Sequence, residues 1–254
     1  MIFNVIRNFR RRRILKKHAI SDSLWESTSN RLIILNGLSA QDLARLKNIT
    51  TLFLHAKEFT GVQGFEFNEE KRLIIAIQAC LPILNLDIDY YDGWLEIVVY
   101  PENFIVTRSV TSEAGLVSNQ SSVLSGEAWS RGPVVLSWSD IERESFQKRH
   151  GQNVIIHEFS HKLDMLNGRA NGMPPLHASM KRDEWTDSLS QAYELLVKNV
   201  EYNNHHYINA YAATNPGEYF AVVSEYFFTA PEILKKHRRK VYDQLVLYYR
   251  QEPI

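Results

Sequence analysis

Apolar positions recur along the chain with two different periods, and the change between them marks out its elements. Ser39-Ala40-Gln41-Asp42 is a capping-box pattern. It opens a helix in which Leu43, Leu46, Phe53 and Leu54 turn inward at helical spacing. Asn68 is placed to cap a second helix, which Pro82 ends. The middle third is different. Leu95-Glu96-Ile97-Val98-Val99-Tyr100 is rich in strand formers and stops at Pro101. Val123 to Trp129 and Val134 to Trp138 read as two more strands, divided by a turn at Ser130-Arg131-Gly132-Pro133. From about Gln152 the helical period returns. Val154, Ile155 and Ile156 lead into a helix that Asn167-Gly168 ends. Further helices are expected over roughly Asp183 to Asn199, Pro216 to Phe228 and Pro231 to Arg250, the last two with proline in the first turn. Helices, then strands, then helices define an α+β class. With no repeat or flexible linker, residues 21–254 read as one domain, with a helical part over about 21–90 and a core over about 91–254.

Composition narrows the function little. The formal net charge is zero, so no global charge argument favours nucleic acid or a membrane. The first 18 residues, however, hold Arg7, Arg10, Arg11, Arg12, Arg13, Lys16 and Lys17. Neither an apolar stretch nor a cleavage site of the secretory kind accompanies them, and no run reaches the ~18 apolar residues of a membrane span. A cytoplasmic protein is expected. Residues 1–20 read as a solvated, flexible tail, with a weak contact to acidic lipid or another polyanion as the alternative. Cys80 is the single cysteine, so intrachain disulfides and cysteine-rich zinc fingers are excluded. Its apolar surroundings suit a buried, inert thiol.

The chemistry is carried by His157-Glu158-Phe159-Ser160-His161, an H-E-x-x-H pattern. Residues four apart share a helix face, so both imidazoles reach one cation. Glu158, one step on, leans toward the open side, where a carboxylate can take a proton from water and pass it to a leaving amine. Zinc is the metal such a site takes, and it needs a third protein ligand. Continuation to H-E-x-x-H-x-x-G-x-x-H would supply a histidine, but those positions hold Asp164 and Asn167. A carboxylate on a later helix remains, and Glu218 and Glu225, seven apart, both qualify. Asp164 shares the face of the two histidines. It can steady a ligand imidazole through its second nitrogen, or it can serve in a structural ion pair at the helix end. His177, His205 and His206 lie in polar connections and read as solvated.

These segments, together with Asp92-Gly93-Trp94, Gly132-Pro133-Val134-Val135-Leu136-Ser137-Trp138 and Tyr211-Ala212-Ala213-Thr214-Asn215-Pro216-Gly217-Glu218-Tyr219-Phe220, resemble the Mlc titration factor A family of bacterial zinc peptidases. That family is related in its catalytic core to the anthrax lethal factor. The resemblance implies a zincin-like core holding one Zn²⁺ per chain. It implies His157, His161 and Glu218 as ligands, Glu158 as general base and Tyr211 as the group that stabilises the oxyanion. It also implies aminopeptidase-like action on peptides and binding of a transcription repressor, Mlc, that governs sugar-uptake genes. A non-catalytic repressor-binding regulator on the same fold is the alternative. No direct nucleic-acid contact and no membrane span are expected. An edge strand bordering the cleft, either Val134 to Trp138 or Val123 to Trp129, is expected to pair with extended substrate.

Overall fold

Every element that frames the site is laid down by a local signal that the packing then uses. The computed structural model describes residues 2–102, 104–111, 117–124, 126–128, 132–148 and 150–253, with backbone alone for 2–4 and for the strand residues between 104 and 128. Trp129, Ser130 and Arg131 of the expected strand and turn lie outside the described residues.

The N-terminal part is helical: α1 (Ile2–Lys17), α2 (Asp22–Ser29), α3 (Ala40–Ala56) and α4 (Glu69–Cys80). Ser39 caps α3 by accepting the Asp42 N–H, and Asn68 caps α4 by accepting that of Lys71. Leu46 and Phe53 of α3 are fully buried against α4, whose residues from Leu73 to Cys80 are all buried. Cys80 is among them, and burial pushes its thiol far above the ordinary range.

Strands β1 (Glu58–Gly61), β2 (Glu96–Tyr100), β6 (Val134–Ser137) and β5 (Gly126–Ala128) form one mixed sheet in the order β1-β2-β6-β5. The first three are parallel, and β5 runs antiparallel to β6. Strands β3 (Phe104–Thr111) and β4 (Val117–Leu124) make a separate antiparallel hairpin between β2 and β5. The stretch expected as one strand, Val123 to Trp129, is therefore divided between the end of β4 and β5. Ile97 and Val99 of β2 and Val134 and Leu136 of β6 alternate into the core, the period-two pattern of a sheet with one buried face. The sheet draws β1 from the segment read as the helical part, so the two parts are joined by strand pairing.

The remaining helices are α5 (Trp138–Phe146), α6 (Val154–Asp164), α7 (Arg182–Glu201), α8 (Pro216–Thr229), α9 (Pro231–His237) and α10 (Arg239–Tyr249). Ser137 ends β6 and caps α5, so a helix stands between that strand and α6. The single helix expected from Pro231 to Arg250 is two, broken at Arg238, whose backbone (φ −142°, ψ 49°) is not helical. Helix α6 runs through the middle of the molecule. Its Phe159 packs among Phe53, Tyr91 and Trp94 with ring centroids 5.1–5.7 Å apart. On its other side Ser160 meets Tyr249 of α10, which donates a 2.7 Å hydrogen bond to Ser224 of α8.

Residues 1–20, expected as a flexible tail, include a described helix. Arg7 pairs with Asp89, and Arg11 pairs with both Asp87 and Asp89. The carboxylates paired with Arg7 and Arg11 lie more than 70 residues away in the chain. His177 and His206 also differ from expectation. Both are partly buried and hydrogen-bonded to backbone carbonyls, of Tyr248 and Ile208 respectively, at 2.7 Å. No helix among the described residues is long and apolar enough to cross a membrane.

Candidate metal centre

Helix α6 begins where Asn153 accepts the Ile156 N–H at 2.9 Å. Starting the helix there sets the phase of everything after it. Val154, Ile155, Ile156, Phe159 and Leu163 are buried, and His157 and His161 fall on the face toward α8. Helix α8 begins with Asn215 accepting the Glu218 N–H at 3.0 Å and Pro216 in the first turn. This places Glu218 at the helix mouth, level with the histidines.

The three side chains converge. Glu218 Oε2 lies 3.1 Å from His157 Nε2 and 3.3 Å from His161 Nε2, and the two imidazole nitrogens are 3.2 Å apart. Two imidazole nitrogens and one carboxylate oxygen around a common point are a donor set for one metal ion. Electrostatics point the same way. Burial would lower the His157 pKa, but its bonds to Glu218 and Glu225 outweigh this and hold it well above the ordinary value. Burial would raise Glu218, but its bonds to the two imidazoles carry it well below the carboxylate range. Two carboxylates thus surround one imidazole and favour positive charge at this point, whether as the imidazolium or as a bound cation.

Glu225 stands apart from the three converging donor atoms. Its Oε1 lies 2.8 Å from His157 Nδ1, and its Oε2 accepts the Asn153 N–H at 2.6 Å. The seven-residue spacing puts Glu218 and Glu225 on one face of α8, at opposite nitrogens of the same ring. Glu218 joins the donor cluster, and Glu225 orients the imidazole from behind, as carboxylates outside a metal's ligands do. The sequence reading weighed Glu225 only as a ligand, and weighed Asp164 both for the orienting role and for a structural ion pair at the helix end.

Asp164 acts elsewhere. Its carboxylate accepts three backbone N–H groups, from Asn171, Gly172 and Met173, at 2.7–2.9 Å. This gathers the loop after α6 against the start of α8. Gly172, at φ +76°, lies so close that a Cβ there would stand 2.6 Å from the Pro216 carbonyl oxygen. Asp164 therefore bears on the Glu218 end of the site through the backbone. His161 Nδ1 is buried with no hydrogen-bond partner among the described residues.

Glu158 is buried at 4% exposure, and its charge acts on His157 and on Lys162 one turn later. Lys162 donates to the Gly132 carbonyl at 2.8 Å and sits over the Trp94 ring. Tyr211 belongs to a single helical turn, Ala210–Ala213, capped by Asn209. It is half exposed, with its ring centroid 6.1 Å from that of His157. Strand β5 lies beside α6 at the edge of the sheet, whereas β6 is internal, so the edge strand lies within Val123 to Trp129.

A partly buried donor cluster of two histidines four apart on α6 and a glutamate on α8 fits a metallopeptidase-type site. The family model for the glucose-regulated metallo-peptidase M90 matches residues 6–250, and the chain belongs to that family. Among similar proteins is Mlc titration factor A of Cronobacter sakazakii, 39% identical over 239 residues, covering 93% of this chain and 89% of the relative. The protein of the same name in Escherichia fergusonii is 41% identical over 224 residues, covering 87% and 83%. That of Salmonella arizonae is 40% identical over 240 residues, 92% of each chain.

Proposed function

We propose that the chain is a zinc-dependent peptidase of the aminopeptidase kind, with His157, His161 and Glu218 as the metal's protein ligands. The observation that carries this reading is the convergence of their three donor atoms beside a buried glutamate on the same helix. Zinc, when bound, supplies a Lewis acid that polarises a carbonyl and brings the pKa of a water toward about 7. Glu158 takes the proton of the attacking water and hands it to the leaving amine. Tyr211 closes over the cleft and donates a hydrogen bond to the carbonyl oxygen as it gains charge. Glu225 keeps the His157 ring in register. The outer edge of β5 pairs with an extended peptide through backbone hydrogen bonds, which makes little demand on sequence. Preference for N-terminal residues follows from the family resemblance.

The relatives are named for titrating Mlc, and we infer that this chain likewise binds a repressor of the Mlc kind and works in the cytoplasm. A regulator that binds without cutting is the competing reading, and the buried Glu158 beside an intact donor set favours catalysis. The test is a panel of aminoacyl and internally quenched peptides offered to wild type and to Glu158→Gln. Wild type should cleave the aminoacyl substrates. Glu158→Gln should retain metal and lose roughly 100- to 10,000-fold in rate, the usual worth of a general base. Equal rates in the two proteins would remove Glu158 from the mechanism.

A further inference from the structure

Helix α1 has two faces with different tasks. Over its 16 residues, IFNVIRNFRRRRILKK, it carries no acidic side chain. One face is committed to the fold. Arg7 and Arg11 bond to Asp87 and Asp89, and Ile14 and Leu15 are partly buried as the helix lies along α3. At helical spacing, Val5, Ile6, Phe9, Arg13 and Lys16 fall on the opposite face. Val5, Ile6 and Phe9 are 64%, 53% and 68% exposed, a concentration of apolar surface unusual for a helix that has already found its packing partner. Arg10, Arg12, Arg13, Lys16 and Lys17 are exposed as well. Among the described residues no carboxylate lies within ion-pair distance of any of the five, so they take no part in holding the helix down.

We propose that this outward face binds the surface of an anionic lipid bilayer. Val5, Ile6 and Phe9 enter the boundary between headgroups and acyl chains, and the five cations meet the lipid phosphates. The pairing of these two features selects the partner. A nucleic acid would satisfy the cations but leave three apolar side chains against a charged backbone. An anionic membrane offers both layers at the spacing of one helix lying in the interface. The fold prepares the contact, because Asp87 and Asp89 neutralise the inward arginines and fix which face looks out. The zero net charge of the chain makes the attraction local to α1. This inference is independent of the metal centre.

The test uses the full chain in co-sedimentation with vesicles of phosphatidylcholine alone, and with vesicles of about one part phosphatidylglycerol to two of phosphatidylcholine. Binding should require the anionic lipid and weaken as salt rises. Each basic residue near such a surface contributes about fivefold, so the triple variant Arg12→Gln, Arg13→Gln, Lys16→Gln should bind about 100-fold more weakly. Phe9→Ser should lose about tenfold through its apolar contact. All the altered side chains are exposed, so thermal unfolding should be unchanged. Equal binding to both vesicle types would overturn the proposal, and so would indifference to the triple variant. Tight retention on duplex DNA, with vesicle binding unmoved by Phe9→Ser, would assign the face to polyanions in general and also overturn it.

Discussion

His157 is held at both ring nitrogens, and that arrangement fixes the orientation of the ring. With Glu225 at Nδ1, the Nε2 atom is directed at Glu218 and His161. Glu225→Gln replaces a charged acceptor with an amide, and metal affinity should fall about 10- to 100-fold while one metal per chain is still reached at saturation. Competition with a chelator of known affinity measures this, and an unchanged affinity would make Glu225 a packing residue. Tyr211 is a different case, since it is exposed and its ring stands beside that of His157. If its hydroxyl serves the transition state, Tyr211→Phe should keep metal and fold and lower kcat about 100- to 1,000-fold with KM nearly constant. A normal kcat would return Tyr211 to the surface. The histidine pair was legible in the sequence because its spacing and chemistry are local. The division of labour between Glu218 and Glu225 was not, because the sequence gives their common face but not which end of His157 each one meets.

The elements are joined behind the site by a chain of buried amides. Asn153 caps α6 with its Oδ1, gives its N–H to Glu225 and donates its Nδ2 to Gln78 of α4 at 2.7 Å. Gln78 in turn donates to Ser145 of α5 at 2.8 Å. One residue thus starts the histidine helix and ties it to three others. Asn153→Ala should remove a cap worth about 1 kcal/mol and strand the Gln78 carbonyl at a further cost of about 1–3 kcal/mol. Denaturant unfolding should therefore show a loss of about 2–4 kcal/mol, and a loss below about 0.5 kcal/mol would mean the network carries no stability. Helices α3, α4, α6 and α8 could be read from the sequence because each has its own cap and an apolar stripe. Strand β1 could not. Glu58-Phe59-Thr60-Gly61 has no alternation to speak of and is a strand because β2 pairs with it. The break at Arg238 was equally hidden, since no proline or glycine marks it.

At the scale of the molecule, what the sequence concealed was long-range pairing of charge. The basic segment looked free because Asp87 and Asp89 are distant in the chain. Lys57 makes the same point inside the core. It is 8% exposed, its ammonium donates to the carbonyls of Tyr91 and Trp94, and it lies 3.7 Å from the centre of the Trp94 ring. Burial lowers its pKa to about 8, against a smaller opposing pull from Asp92. The unfolded chain, with lysine near its ordinary value of about 10.4, holds this proton more tightly than the folded one. Folding therefore carries a cost from Lys57 below about pH 8, and that cost is relieved as pH rises toward about 10.4. The stability of wild type relative to Lys57→Met should increase over this window. A flat or falling difference would show that the ammonium is not desolvated in the fold.

The central claim is that His157, His161 and Glu218 together hold one metal ion, and metal content tests it most directly. Chains reconstituted with zinc, freed of excess by dialysis and measured by elemental analysis should carry close to one zinc per wild-type chain. His157→Ala, His161→Ala and Glu218→Ala should each carry almost none, and Glu158→Gln should remain loaded. A wild type without zinc, or a Glu218→Ala chain that keeps a full equivalent, would contradict the account.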